Sequence, residues 1–404
     1  MILSTTNGIT QRQRWNLILI LGGLMAMQPF ALDPFLPAAP SIAANFAVDN
    51  TSMRLTIAGL SFGFAIGQLI AGPLSDSLGR RRPVLVAAAL YVLASTLVIT
   101  AANFAMFATG RVLQGVAGAA IQVVGNAIMR DLYAGYELMQ MMSRVFLIQA
   151  LSWVLGPLGG TLLLGIMDFR GITAIIGAYG VIMLVVAFLF LPETLAKEHR
   201  GDHVGVVELM SRFRSVLRDR IYLGVVSIGM LNSIALFGYL STMPFIYEQK
   251  FGFSGEQYGY FFVLNSLSAY VGVQVIALIA KRMALQWIVT GILVIQLFTG
   301  LALFIQASAG ANIVSVQITL MVLTFFVGGS FAPLGTLALT RHGDEAGTAA
   351  ALNLVLGALA STAAAGIFTQ LSKADTSQLG LMIAACFVLA LVVMFSVIRP
   401  KQLR

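Results

Sequence analysis

Two ionisable side chains stand inside long apolar runs of this 404-residue chain, Asp33 and Arg111. A charge in hydrocarbon is costly, so such residues are functional candidates before any others. A carboxylate at that depth can carry a proton if two opposing influences come near balance: burial, which favours its neutral form, and a nearby cation, which favours the charged form. An arginine can tune that balance and hold anionic or polar groups. Arg111 also begins a stripe of Gln114, Gly115, Gly118, Gln122 and Asn126, which at helical spacing falls within about 60° of one direction. The stripe reads as a polar, small-residue face turned to a cavity, or as a packing face around a structural arginine, and one helix can serve both. No catalytic set accompanies these residues. His199, His203 and His342 all fall in polar turns, and the His199–His203 pair has no further ligands beside it. Neither a metal centre nor an enzyme is expected.

The elements that must position this pair are membrane helices. Hydrophobic residues make up 58% of the chain and charged residues 10%, with mean hydropathy +0.91, which excludes an ordinary soluble domain. Runs of about 20 apolar residues, long enough to span, recur at 15–38, 54–74, 84–102, 104–128, 141–165, 171–191, 221–246, 257–280, 285–307, 312–338, 346–370 and 377–398. Threading these twelve spans puts nineteen of the 24 Lys and Arg residues on one side. Arg54, Arg170, Lys250 and Lys373 fall on the other, and Arg111 within a span. The crowded side, with both termini, is therefore expected to be cytoplasmic. The net charge of +8 reflects that bias and not a nucleic-acid partner. Arg12 and Arg14 precede a first run too long for a signal core, which is expected to stay as a span. The lone Cys386 lies in an apolar run and carries no redox information.

The expected fold is all-α, with six-helix halves at 1–195 and 221–404. A cytoplasmic linker at 196–220 joins them, and its segment 207–217 has the pattern of an amphipathic helix lying on the membrane surface. Gln68-Leu-Ile-Ala71 and Gln274-Val-Ile-Ala277, each ahead of a basic turn, fit a repeat of the halves. In this threading Asp33 lies late in an outward-running helix and Arg111 early in an inward-running one. The two share a depth in the outer half of the membrane.

Between the second and third spans lies a dense turn, Gly72-Pro-Leu-Ser-Asp-Ser-Leu-Gly-Arg-Arg-Arg-Pro-Val-Leu85, too charged to lie in hydrocarbon. Its Gly72, Leu74, Asp76, Gly79, Arg80 and Arg81 resemble the loop signature of the major facilitator superfamily, departing at Ser77, where a basic residue is usual. Arg111, Gln114, Gly115 and Gly118 resemble the helix-4 motif of the proton-coupled members. Gly156-Pro157-Leu-Gly-Gly160 is similar to their antiporter motif, with Ser152 and Thr161 where glycines are usual. The proline and glycines suit a pivot or a seal, and equally a kinked, tightly packed helix. Leu32-Asp33-Pro-Phe-Leu-Pro37, Gly67-Gln-Leu-Ile-Ala-Gly-Pro73, Met129-Arg-Asp-Leu-Tyr133, Pro192-Glu-Thr194, Pro244-Phe-Ile-Tyr247 and Tyr258-Gly-Tyr-Phe-Phe262 resemble the Bcr/CflA drug-resistance transporters across both halves.

That resemblance implies a multi-pass bacterial inner-membrane exporter of small amphiphilic drugs or metabolites, driven by proton influx and needing no cofactor beyond the proton. It implies a gate in which Asp76 pairs with Arg80 and with Asp131, with Gly72, Gly79, Gly156, Pro157 and Gly160 as its hinges and seals. Partners other than substrate and lipid bilayer are not expected, and the protein is expected to be a monomer. A cavity for varied amphiphiles needs apolar walls with a few adaptable polar groups. Gln28, Gln114, Gln149, Trp153, Asn232, Tyr239, Asn265 and Asn353 fill that description, as they would a helix-packing role. A facilitator or importer of a small metabolite on the same fold is the alternative, because fold does not fix function.

Overall fold

The computed structural model describes residues 11–133, 135–195, 214–310, 312–339, 352–353, 355–363 and 376–400. Among these the protein is built of helices, with no strand. In chain order they are α1 (Gln11–Leu32), α2 (Ala39–Asn45), α3 (Asn50–Leu78), α4 (Arg81–Ile99), α5 (Phe104–Leu132), α6 (Gly135–Leu164) and α7 (Phe169–Phe190). Then follow α8 (Arg220–Phe251), α9 (Gly255–Ile279), α10 (Leu285–Ser308), α11 (Ile313–Leu339), α12 (355–363) and α13 (Thr376–Val393). Ten helices among the described residues are long and apolar enough to cross a membrane. The span expected at 141–165 falls in α6, and most of that expected at 346–370 lies outside the described residues, as does most of the linker with its 207–217 segment.

Short polar turns end the helices where the sequence supplies a cap. Asn103, Asp168 and Asp219 accept from the first free N–H groups of α5, α7 and α8, and Ser254 with Gln257 closes a reciprocal capping box on α9. The turn between α3 and α4 is tighter still. Gly79 adopts φ +87°, a conformation that a side chain would strain, and that lets two long helices reverse within two residues.

The chain divides into two compact units, residues 1–48 with 59–205, and residues 49–58 with 206–404. In the first unit α4 packs on α5 and α7, and α1 on α5, α6 and α7; in the second α10 packs on α13 and α9 on α11. Lipid gives helices no hydrophobic reason to associate, so close backbone approach must supply the contact. Glycine does so here. A Cβ on Gly63 would fall 2.0 Å from the Val112 carbonyl, and one on Gly115 2.0 Å from that of Leu60, where α3 crosses α5. Large apolar side chains such as Leu93, Phe188, Phe298 and Ile305 instead stand exposed, as lipid-facing residues must.

Candidate functional site

Helix α1 ends just before Asp33. Asp33, Pro34 and Phe35 make one turn of 3-10 helix, and the chain then swings into α2. Beneath this turn lies α6. A Cβ on Gly156 would sit 3.1 Å from the Asp33 Cβ, and one on Gly160 would sit 2.5 Å from the Pro34 Cα. The two glycines expected to act as pivot or seal therefore form the floor under the Asp33–Pro34 turn, with Gly156 beside Asp33 and Gly160 beside Pro34. Ser152 and Thr161, the departures from the resembling motif, donate back to the Ile148 and Pro157 carbonyls one turn earlier (3.4 and 2.7 Å), so their hydroxyls are satisfied within α6.

Arg111 reaches the same turn from the other side but does not pair with Asp33. Its guanidinium donates to the Ala31 carbonyl and to Gln114 Oε1 (2.9 Å), and lies 4.3 Å from the centre of the Phe35 ring. Ala31 is in the last turn of α1, where carbonyls lack helical partners and the helix dipole is negative. A buried cation there, 2% exposed, works as a C-terminal cap supplied from α5. Gln114 passes the network on, donating to Ser95 Oγ (3.0 Å), which donates to the Tyr91 carbonyl (2.8 Å).

The same face of α1 is held at two more rungs. Tyr91 donates to the Met27 carbonyl (2.9 Å) and Tyr179 to that of Gly23 (2.7 Å). Three donors from three helices thus meet α1 at four-residue steps. The sequence offered no direct signal for this, since tyrosines in spans read as interfacial or lining residues. Among the described residues no ion pair engages the Asp33 carboxylate, whereas Arg80 pairs with Asp76 and Asp131.

Those pairs form the second cluster, at the far end of α3 and α5. Buried Arg80 bridges Asp76 and Asp131, its Nε 2.7 Å and its Nη2 3.3 Å from the two Asp131 oxygens, and it also donates to Ser75 Oγ (2.8 Å). Burial works against the Arg80 charge, but bonds to Asp131 and Asp76 outweigh it and hold its pKa above the ordinary guanidinium value. Glu193, which no sequence argument had linked to this turn, accepts from the Arg80 and Arg81 N–H groups (2.8 and 3.4 Å) and so caps α4 from beyond α7. Thr194 Oγ1 donates to Asp131 Oδ2 (3.2 Å). Gly79 supplies the turn, while at Gly72 there is room for a side chain, since a Cβ there would lie 4.0 Å from Val123.

The other expected lining residues divide by unit. Gln28 is half-buried against Gly118, Gln149 is buried, and the Trp153 side chain lies outside the described residues. In the second unit Asn265 donates to Tyr239 Oη (2.8 Å) and accepts from Gln317 Nε2 (3.0 Å), while Tyr247 donates to Gln317 Oε1 (2.5 Å). Asn232 accepts weakly from Gln296 (3.5 Å), leaving its own amide N–H and Gln296 Oε1 without partners, and half-buried Asn353 faces Gly229. Gln296 and Gln317 carry no signal in the sequence, and Gln68, a buried amide with neither end satisfied, marks a repeat there and not a polar contact. Each is an uncharged polar residue among mostly apolar neighbours.

A model of the Major Facilitator Superfamily matches residues 18–365. The chain is 28% identical over 361 residues to an uncharacterized MFS-type transporter, YdgK, of Bacillus subtilis (strain 168), covering 87% of this chain and 89% of that protein. It is 28% identical over 256 residues to a bicyclomycin resistance protein homolog of Haemophilus influenzae (63% and 64% covered), and 28% identical over 218 residues to the multidrug resistance protein MdtM of Salmonella typhimurium (54% and 51%). The fold matches that of the xylose transporter XylE from E. coli, with TM-score 0.74 at 12% identity, covering 96% of this chain and 98% of that one.

Proposed function

The chain belongs to the major facilitator superfamily, and from that premise we propose that it is a proton-coupled antiporter exporting small amphiphilic drugs across a bacterial inner membrane. The observation that carries this reading is Asp33: a carboxylate just beyond α1, seated beside Gly156 on a turn that Gly160 also supports, with Arg111 bound to the end of α1 and making no ion pair with it. An exporter driven by proton influx must release a proton as it takes up drug and recapture one as drug leaves. A carboxyl group not committed to an ion pair can do that. Arg111, tied to the Ala31 carbonyl and Gln114, is the positioning residue: it fixes the turn that presents Asp33. The bicyclomycin- and multidrug-resistance relatives support the substrate class. The Arg80 cluster would act as a latch that is made and broken as the site is exposed to one side of the membrane and then the other.

Asp33→Asn keeps the size of the side chain and removes its titration. Purified Asp33→Asn, checked for folding and insertion, is expected to bind drug without releasing protons and to fail at pumping against a gradient. Proton release equal to that of the parent would place the carrier elsewhere. Counterflow that is indifferent to a pH gradient in the parent would favour a facilitator instead.

A further inference from the structure

At the end where α1 and α6 begin and α5 stops, the first unit holds donors with nothing to donate to. Tyr133, the residue that closes α5, is 5% exposed, and its hydroxyl has no partner among the described residues. The Arg14 guanidinium lies over its ring, 5.2 Å from the centroid, with Nε and Nη2 buried and likewise unpartnered. One helix over, the Arg144 guanidinium lies 5.0 Å from the Trp15 ring, and Arg12 and Arg130 stand exposed close by in sequence. The acids at this end do not pair with these arginines among the described residues: Asp131 is taken by Arg80, and Glu137, exposed on the first turn of α6 and near enough for its charge to act on the Tyr133 hydroxyl, makes no ion pair with them. Enclosed N–H and O–H donors cost free energy until an acceptor arrives. A guanidinium fork beside a hydroxyl matches the oxygens of a phosphate.

The surface next to this cluster says which phosphate. Trp15 and Leu19 on α1 are exposed, and so are Leu147 and Leu151 on α6. Both helices run away from the arginine cluster, and they touch one turn deeper, where Gly22 meets Ile148. The pairs Trp15–Leu19 and Leu147–Leu151 each lie four residues apart, so each helix shows a continuous apolar strip leading down from the charge. We infer that this corner of the first unit is a binding site for an anionic phospholipid. Arg14 and Tyr133 hold its phosphate, Arg144 adds charge, and the acyl chains lie along the α1–α6 seam. Basic corners between membrane helices on the cytoplasmic face suit such headgroups. This inference does not depend on what the protein transports.

The test uses delipidated full-length protein in detergent. Phosphatidylglycerol, phosphatidylcholine and inorganic phosphate are titrated separately, with bound lipid read by native mass spectrometry and thermal stability in parallel. Phosphatidylglycerol is expected to be retained and to raise the melting temperature, phosphatidylcholine much less so, and inorganic phosphate not at all. Arg14→Gln should weaken phosphatidylglycerol binding about fivefold, the order expected for one arginine at a charged surface, and Tyr133→Phe by a smaller factor. Arg144→Gln serves as a second charge variant should Arg14→Gln fold poorly, and Arg282→Gln, an exposed arginine in the second unit, should change nothing. Equal losses in Arg14→Gln and Arg282→Gln, or no loss in any variant, would reduce the effect to general surface charge and overturn the site. Stabilisation by inorganic phosphate matching that by the lipid would overturn the lipid as its occupant.

Discussion

Where α3 crosses α5 in the first unit, Gly63 and Gly115 bring backbone onto backbone. Where α9 crosses α11 in the second, Gly272 and Gly328 do the same, with a Cβ on Gly272 falling 2.0 Å from the Phe325 carbonyl. What the two sets of helices bury is not alike. The first unit encloses Arg80 and Arg111, one bound to two aspartates and the other to a helix end. The described residues of α8–α13 bury amides and hydroxyls, as in the Tyr239–Asn265–Gln317–Tyr247 chain, and the buried charge of the second unit, Arg54, is brought to it by the start of α3 and lies 5.3 Å from the Phe245 ring. A shared packing scheme therefore carries two chemistries. Helices α1–α7, apart from residues 49–58, carry groups that can change charge or lock ion pairs, and α8–α13 carry neutral groups that can exchange hydrogen-bond partners.

The largest effect should respect the likeness. Gly63→Val and Gly272→Val each drive a side chain into a carbonyl and should cost more than about 4 kcal/mol. Little folded protein is expected from either, as judged by size-exclusion yield. A well-folded variant of one but not the other would break the equivalence of the two crossings.

The next comparison separates the chemistries. Asp33→Asn is expected to reduce uphill transport to background. Gln317→Leu, which strands Tyr247 and Asn265, should cost about 1–3 kcal/mol in stability while leaving drug-induced proton release intact. Loss of proton release in a folded Gln317→Leu protein would move coupling into the second unit.

Smaller effects are expected at the Arg80 cluster. Asp76→Asn should slow transport about tenfold, the scale of a typical conformational coupling, with equilibrium drug binding unchanged; lost binding in inserted protein would show that the cluster does not act as a latch. Because the Arg80 pKa is raised, its contribution is complete below the unfolded guanidinium value and is lost only as pH rises through a still higher folded one. From the arginine side the cluster should be indifferent to pH between about 6 and about 8, so a strong dependence of its crosslinking in that window would implicate another group. Smallest of all, Gly79→Ala should cost about 1 kcal/mol through its positive φ, visible as a modest fall in melting temperature.

Much of this was legible in the residues alone. Hydropathy gives the spans that the ten long described helices occupy, the charged Gly72–Leu85 stretch gives the turn, and the resemblance to the superfamily's loop signature implies the pairing of Asp76 and Arg80 with Asp131. Asp33 and Arg111 stand out as the charges that hydrocarbon should not tolerate. Their relation does not follow from depth, since two residues at one height can face different neighbours: Arg111 found a helix terminus, and helix termini as binding partners leave no mark on the sequence of the distant helix. Glu193, on the Arg80 and Arg81 N–H groups, and Gly160, against the Pro34 backbone, are of the same kind. Each acts on a backbone group far along the chain, and backbone groups are identical at every residue.

The three rungs on α1 have a mechanical consequence. Tyr179, Tyr91 and Arg111 fasten the Gly23, Met27 and Ala31 carbonyls to α7, α4 and α5. Helix α6, by contrast, meets the Asp33–Pro34 turn through bare glycine surfaces. If α6 shifts against this turn during transport, the three hydrogen bonds are the contacts expected to keep α1 fixed to α4, α5 and α7. Travel of α6 by a fraction of a helical turn would change how closely the Asp33 carboxylate is covered without disturbing a single one of the three bolts.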